Sequence, residues 1–140
     1  MSPWVSQYIG IPYKPLGYTR EGCNCWGLVN LIEHEVFHRW TPKHDSFEYN
    51  GPEDRIEATA IIKGGLAHAL RLSWFELKDQ KMMNEGDVIL LKLYGLPIHC
   101  GVAISSSKMI HIMKGIDSCI ERVWTPLWER RMFGVYRCRI

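Results

Sequence analysis

Residues 24–39 read NCWGLVNLIEHEVFHR, and this stretch decides how the rest of the chain is interpreted. From Cys25 to about Arg39 apolar residues recur at the spacing of one helical face, which predicts the main helix of the protein. Asn24 stands where a side-chain oxygen would cap the first turn. The side chain of Cys25 should point with the buried face, because the apolar residues lie within roughly 60° of it on a helical wheel. These residues are Leu28, Val29, Ile32 and Val36.

Cys25 would occupy the first position of this helix, where a thiol can become a nucleophile. Unpaired N–H groups and the positive end of the helix dipole lower the pKa of a thiol at such a position. A buried cysteine at such a place is more often a small core residue than a nucleophile, and the context must overturn that interpretation. The catalytic interpretation of Cys25 therefore depends on finding a base beside it.

The other segments predict an α+β fold in one domain, residues 1–140, with N-terminal helices packed on a C-terminal antiparallel sheet. A short helix is expected over 3–9, an ordered loop over 11–22, a loop over 41–53, and helical structure from Glu53 to Leu70 that Gly64 and Gly65 weaken. Beyond Ser73 the apolar period changes to two, which predicts strands. The expected strands are Trp74–Lys78, Asp87–Leu93, Ile98–Ser105, Lys108–Lys114, Ser118–Val123 and Phe133–Arg139. Thr125 and Pro126 predict one helical turn before the last strand.

His99 is the candidate base. Alternation along IHCGVAI, residues 98–104, places His99 on a strand face with Gly101 and Ala103, and Cys100 on the opposite face. Small neighbours would let a helix approach His99 closely, so we expect Cys25 to meet it there. A structural histidine remains the alternative for His99 considered alone.

His111 lies in the next predicted strand. If Ser105, Ser106 and Ser107 form a three-residue loop, Gly101 pairs with His111 and the two histidines share a face. His111 could then orient His99. A two-residue loop would instead send His111 to the other face, so this prediction depends on the register.

Taken together, these residues resemble the NlpC-type cell-wall cysteine peptidases, in the variant form found in bacteriophage tail proteins. Five stretches carry the resemblance in family order across most of the chain. They are Gly10-Ile11-Pro12-Tyr13, Asn24-Cys25-Trp26-Gly27-Leu28-Val29, Glu85-Gly86-Asp87-Val88, His99-Cys100-Gly101-Val102-Ala103-Ile104 and Met109-Ile110-His111.

The resemblance implies a papain-like fold with Cys25 as nucleophile, His99 as general base and His111 as orienting residue. It also implies that Tyr13, Asn24 and Trp26 form the oxyanion and substrate-binding part of the site, with Tyr13 near the oxyanion and the other two flanking the nucleophile. The implied reaction is cleavage of peptidoglycan stem peptides, often between D-glutamate and a diamino acid, without a cofactor or metal. The family usually has an acidic residue at Asn24 and a small serine at Trp26, and the tail-protein variants resemble this chain at Trp26.

Composition and charge limit the ligands and the cellular location that we expect. Seventeen basic and fifteen acidic residues leave a net charge of +2, scattered along the chain, which gives nucleic-acid binding no support. No apolar run is long enough to span a bilayer and no signal peptide is apparent, so membrane insertion is not expected. Five irregularly spaced cysteines favour reduced thiols. We therefore expect synthesis in a bacterial cytoplasm and, from the resemblance, delivery to the cell wall by a phage tail whose proteins are the partners.

Three competing interpretations remain open at this point. His34, Glu35 and His38 form a literal HExxH zinc-peptidase motif, although the wheel places both histidines opposite the apolar stripe. A structural zinc site from Cys23, Cys25, His99 and Cys100 would need one strand to supply ligands from both faces. The chain could also be a catalytically inert structural or docking module of a tail assembly.

Overall fold

The alternating segments of the second half form the six strands of one antiparallel sheet. The computed structural model describes residues 2–41 and 74–139. Within these residues the strands are β1 Tyr18–Thr19, β2 Gly22–Cys23, β3 Trp74–Glu76, β4 Val88–Leu93, β5 Leu96–Ala103, β6 Lys108–Met113, β7 Ile116–Arg122 and β8 Met132–Cys138. Strands β1 and β2 form a separate short hairpin, and β3 to β8 form the sheet in the order β3-β8-β4-β5-β6-β7. The predicted α+β fold class is confirmed.

The main helix, α1, begins at Cys25 as predicted but ends at Glu35, four residues before Arg39. His38 adopts a left-handed backbone conformation, with φ of 55°, and the Arg39 backbone N–H donates to the carbonyl of Glu33 at 2.9 Å. A left-handed residue reverses the chain at a helix end and satisfies carbonyls that the helix leaves unpaired. The helical spacing of apolar residues continues beyond Glu35, so the sequence did not predict this reversal.

The sheet has a buried core on each face. The α1-side core combines the apolar face of α1 with one face of the sheet and the N-terminal segment. It contains Val5, Tyr8, Ile11, Cys23, Trp26, Leu28, Val29, Ile32, Trp74, Val88, Leu90, Cys100, Val102, Ile104, Ile110, Ile112 and Tyr136. The α2-side core covers the other face, beneath the short helix α2, Pro126–Glu129. It contains Met83, Ile89, Leu91, Ala103, Met109, Val123, Trp128, Met132 and Val135.

The short helix α2 is the turn predicted from Thr125 and Pro126. The Thr125 hydroxyl accepts the backbone N–H of Trp128, and Pro126 occupies the first turn, where its missing N–H costs no hydrogen bond. This cap directs Trp128 into the α2-side core, where its side chain is 3% exposed.

The N-terminal segment packs against the beginning of α1. The predicted helix 3–9 is a single 3-10 turn, Val5–Tyr8, and the predicted loop 11–22 includes β1 and the first residue of β2. Gly27, in the first turn of α1, lies so close to this segment that a Cβ would stand 1.9 Å from the carbonyl oxygen of Gly17. Glycine at this position therefore lets the loop approach the end of the helix that carries Cys25.

Two predictions lie outside the described residues: the loop at 41–53, except for Thr41, and the helix from Glu53 to Leu70. In the described part of the chain, no helix is long and apolar enough to cross a membrane.

Candidate active site

Cys25 is the first residue of α1, and Asn24 caps the helix. The Asn24 side-chain oxygen accepts the backbone N–H of Gly27 at 2.7 Å. The residue before the thiol therefore fixes the helix start, as its short polar side chain predicted. The side chain of Cys25 is partly buried, packs against the α1-side core, and its sulfur lies 3.8 Å from the carbonyl oxygen of Ile98 in β5.

Two neighbours on β5 favour the ionised form of this thiol. A hydrogen bond with the Cys100 side chain, and after it the hydrogen bond and charge of His99, outweigh burial and hold the pKa of Cys25 well below its usual value. Cys100 is fully buried, and burial together with Cys25 raises its own pKa well above the usual range. Cys100 therefore remains a thiol that can donate its S–H to the Cys25 thiolate.

His99 and His111 are hydrogen-bonded to each other. His99 Nε2 lies 2.8 Å from His111 Nδ1, and both side chains are almost fully buried. Gly101 pairs with His111, and Ile104 N donates to Lys108 O across the three serines of the loop. The register predicted for a three-residue loop is confirmed.

Glu121 on β7 completes a chain of contacts that the sequence interpretation missed. Its Oε2 accepts a hydrogen bond from His111 Nε2, and its Oε1 accepts the indole N–H of Trp128 at 3.0 Å. The Trp128 ring also stacks on His99, with ring centroids 5.9 Å apart and planes inclined by 28°. The β6–β7 register could have indicated Glu121: His111 pairs with Cys119, and Glu121 is two residues further along the same strand face.

These contacts fix which ring nitrogens carry protons. An ionised carboxylate only accepts hydrogen bonds, so the proton of neutral His111 lies on Nε2, and its Nδ1 accepts from His99 Nε2–H. In neutral His99, Nδ1 is then the ring nitrogen left with a lone pair, and accepting the Cys25 proton there makes His99 the cation whose charge favours the thiolate. A base for the Cys25 thiol needs this tautomer.

The pKa values of His111 and Glu121 agree with this assignment of protons. Burial, followed by the charge of His99, lowers the pKa of His111 to about 4, despite the hydrogen bond that His111 donates to Glu121, so His111 is neutral near pH 7. Burial acts to raise the pKa of Glu121, but hydrogen bonds from Trp128 and His111 lower it below its usual value. Glu121 is therefore an anion held beside a neutral histidine.

The predicted approach of α1 to the His99 face of the sheet is wrong. The apolar stripe of α1 packs with Cys100 on the opposite face, and Trp128 covers His99. The thiol still reaches His99 because β5 pairs with β6 only from Gly101 onward, and Cys25 lies against Ile98, beyond the end of that pairing. Gly101 on the His99 face lets β6 approach instead of a helix, because a Cβ there would lie 3.1 Å from the Cβ of His111.

Tyr13 and Trp26 lie on either side of the helix start. Tyr13 forms a backbone bridge with Cys23, two residues before Cys25, so it lies beside the thiol-bearing end of α1. Trp26 is 7% exposed and belongs to the α1-side core. Their contact with a substrate stays a prediction.

The HExxH motif does not form the continuous helical site that zinc peptidases use. α1 ends at Glu35, so His38 is no longer on the helix face of His34. The Glu35 carboxylate accepts from the Tyr8 hydroxyl at 2.7 Å and pairs with Arg20 at 3.2 Å.

The alternative structural zinc site of Cys23, Cys25, His99 and Cys100 does not form either. Over residues 2–41 and 74–139, the one group of three possible metal ligands is His111, Cys119 and Glu121. It includes neither Cys23 nor Cys25.

Solved structures share this fold. The NlpC/P60 domain of the peptidoglycan hydrolase SagA is 15% identical, with a TM-score of 0.58 over 94% of this chain and 91% of that one. An NlpC/P60 family protein from Bacillus cereus is 21% identical, with a TM-score of 0.59 over 93% of this chain and 36% of that one. NlpC2 from Trichomonas vaginalis is 16% identical, with a TM-score of 0.63 over 94% of this chain and 43% of that one.

This chain thus spans nearly all of the first structure and less than half of the other two. The sequence matches no curated protein. The sequence model of the NlpC/P60 family matches residues 10–137, a range that contains Cys25, His99, His111 and Glu121. The chain therefore belongs to the NlpC/P60 family.

Proposed function

We propose that this protein is a cysteine peptidase that hydrolyses peptide bonds in the stem peptides of peptidoglycan, with Cys25 as nucleophile. The observation that carries the proposal is the line of contacts from Cys25 through His99 and His111 to Glu121. A thiol at a helix start, a histidine base and a residue that orients the base are the parts that nucleophilic cysteine catalysis needs. Membership of a family of peptidoglycan hydrolases supports the substrate class.

The first half of the reaction forms a thioester. His99 Nδ1 takes the proton of Cys25, the thiolate attacks the carbonyl carbon, and the electron pair of the C=O bond moves to the oxygen. Backbone N–H groups at the start of α1 stabilise the resulting oxyanion, and the adjacent position of Tyr13 fits the same role. Collapse of the tetrahedral intermediate breaks the C–N bond, and the His99 proton passes to the leaving amine.

The second half restores the enzyme. His99 takes a proton from water, the hydroxide attacks the thioester carbonyl, and the C–S bond breaks to release the carboxylic acid and the Cys25 thiolate. In both halves His111 keeps Nε2–H of His99 engaged, so Nδ1 continues to face the reacting atoms.

Incubation with purified peptidoglycan tests the proposal, with the released fragments analysed by mass spectrometry. We expect wild type and Cys138→Ala to release the same stem-peptide fragments, whose masses identify the cleaved bond, and Cys25→Ala to release none. Cys138 is a suitable matched control because it is a free, partly buried cysteine at the end of β8. No fragments from wild type, or the same fragments from Cys25→Ala, would refute the proposal.

We further propose that a bacteriophage tail delivers this enzyme to the wall. The support is the resemblance to tail-protein variants at Trp26, the residue after the nucleophile. Co-purification of the protein with intact tail particles, detected by peptide mass fingerprinting, is the expected result. Tail particles that contain none of the protein would contradict this assignment and leave the peptidase proposal unaffected.

A further inference from the structure

The β6–β7 pair carries a cluster that the proposed reaction does not explain. His111, Cys119 and Glu121 each offer one ligand atom, and these atoms all lie within 4.8 Å of one another. Only the histidine and the carboxylate have a place in the contacts of the active site. Cys119 has none.

The register places the three side chains together without any rearrangement of the backbone. His111 pairs directly with Cys119 across the two strands, and Glu121 follows Cys119 by two residues on the same face. Two ligands at positions i and i+2 of one strand and a third on its neighbour form a compact three-ligand cluster. Such a set leaves a fourth tetrahedral position open to water.

The donor set and its exposure favour a zinc-like ion. One nitrogen, one sulfur and one oxygen suit zinc, whereas calcium and magnesium prefer all-oxygen sites. His111 is 1% exposed, but Cys119 is partly exposed and the Glu121 side chain is 37% exposed, so an ion can enter from the Glu121 side. Glu121 Oε1 is held by Trp128, and Oε2 remains as the ligand atom.

We propose that His111, Cys119 and Glu121 form a binding site for a zinc-class divalent ion, and that its occupation switches off the Cys25–His99 pair. The inhibitory part rests on the peptidase function proposed above. The metal site itself does not.

The inhibition follows from the ring protons. A metal on His111 Nε2 replaces the hydrogen bond to Glu121 and displaces the Nε2 proton, so the neutral ring carries its proton on Nδ1. His111 Nδ1–H then donates to His99 Nε2, and the proton of His99 moves to Nδ1, the nitrogen that should accept from Cys25. Two ring protons are present before and after, and the thiol proton of Cys119 is released to solvent. His99 is left as the tautomer that cannot act as a base.

The metal site can be tested without any activity measurement. Cobalt(II) serves as the probe, because thiolate ligation gives it a near-ultraviolet charge-transfer absorption. The titration uses the Cys25→Ala protein, which removes the rival thiol beside His99. We expect saturation at one equivalent of cobalt with the thiolate absorption present.

Two further variants show which cysteine gives rise to the cobalt–thiolate absorption. Adding Cys119→Ser should abolish the thiolate band and weaken cobalt binding by at least about tenfold. Adding Cys138→Ser, at a free cysteine outside the cluster, should change neither. A thiolate band that persists without Cys119, or that is never seen, would overturn the metal site, and this outcome is independent of whether peptidoglycan is cleaved.

The inhibition is tested with zinc on the otherwise unchanged enzyme. Wild type should lose activity at zinc concentrations that Cys119→Ser tolerates, with a shift of at least about tenfold in the half-inhibitory concentration. Equal inhibition of the two proteins would overturn the inhibitory role. A wild type without peptidase activity would instead refute the proposed function, and the cobalt result would still stand.

Discussion

The depressed pKa of Cys25 should be visible as selective alkylation. Contacts with Cys100 and His99 favour its thiolate, whereas burial raises the pKa of Cys23, Cys100 and Cys119. Iodoacetamide reacts with thiolates, so at about pH 6 the first equivalent should modify Cys25. Peptide mapping by mass spectrometry identifies the labelled residue. Cys23→Ser should leave the pattern unchanged, and first labelling at any other cysteine would contradict the assigned thiolate.

Glu121 should act as a positioning residue for the base. Glu121→Ala removes the acceptor that keeps the His111 proton on Nε2, so kcat should fall by roughly tenfold to a hundredfold with little change in KM. Glu121→Gln retains an oxygen that can accept from His111 and should recover part of the loss. Glu129→Ala is the matched control, since that exposed carboxylate pairs with Lys81 at 3.8 Å and not with a histidine.

Steady-state kinetics and thermal denaturation together separate a positioning role from a structural one. A structural role predicts that activity falls only as far as the folded fraction falls. Equal kcat values in Glu121→Ala and wild type, with both proteins folded, would remove Glu121 from the mechanism.

At the residue scale, local patterns predicted Cys25, His99 and His111 as candidates, because a helix start and strand alternation are properties of short segments. Glu121 and Trp128 were not predicted as site residues, and the reason is physical. Both belong to elements that follow in the chain, and their contacts with the histidines depend on the β6–β7 register and on the packing direction of α2. Neither could be derived from one segment considered alone.

The cap of α1 allows the electrostatic and structural effects of Asn24 to be separated. Asn24→Ala loses the acceptor for Gly27 N–H and should lower the free energy of unfolding by about 1 kcal/mol. Asn24→Asp keeps the cap and places a negative charge at the positive end of the helix dipole, a gain of about 0.3–1 kcal/mol. The same charge opposes ionisation of the adjacent Cys25, so alkylation at about pH 6 should become slower.

Urea denaturation and the pH dependence of alkylation measure the two effects of these variants independently. We expect Asn24→Asp to be more stable and less reactive than wild type. A variant that is both more stable and more reactive would show that the charge at this position does not act on the thiol.

At the element scale, the period of apolar residues predicted the existence of strands better than their ends. β5 was expected from Ile98 but begins at Leu96, with Pro97 inside the strand. Tyr94 and Gly95 both have positive φ, 53° and 76°, which gives a two-residue hairpin loop between Leu93 and Leu96. A tyrosine in that position is an unusual turn signal, so the sequence did not indicate the tight turn.

For the whole molecule, the periodicity of apolar residues predicted the fold class but not which face of the sheet each helix packs against. Both faces of the sheet are buried, one under α1 and one under α2 and the loops around it. Alternation shows which strand residues share a face, but does not show which helix covers that face. For this reason the prediction that Cys25 lies beside His99 agrees with the structure, whereas the predicted packing of α1 against the His99 face is wrong.

A buried carboxylate on α1 should give the whole protein a characteristic pH dependence of stability. Glu33 is fully buried, one of its oxygens has no hydrogen-bond partner, and the other pairs with Arg39 at 3.3 Å. Burial raises its pKa to about 8, against the attraction of Arg39. The unfolded chain ionises near the usual value for glutamate, so between these two pH values the folded state holds a proton that the unfolded state has lost. Stability is therefore highest below the unfolded pKa and falls as pH rises toward 8.

Glu33→Gln removes this ionisation and should abolish the part of the pH dependence of the free energy of unfolding that Glu33 causes. The free energy of unfolding of the variant, minus that of wild type, should rise by on the order of 4 kcal/mol between about pH 4.5 and pH 8. Urea denaturation at several pH values measures the difference, in which the contributions of other titrating groups cancel. Glu35→Gln, on the exposed side of the same helix, is the matched control for replacing a carboxylate of α1 by an amide. A flat difference for Glu33→Gln would mean that Glu33 is ionised in the folded protein, with Arg39 fully compensating its burial.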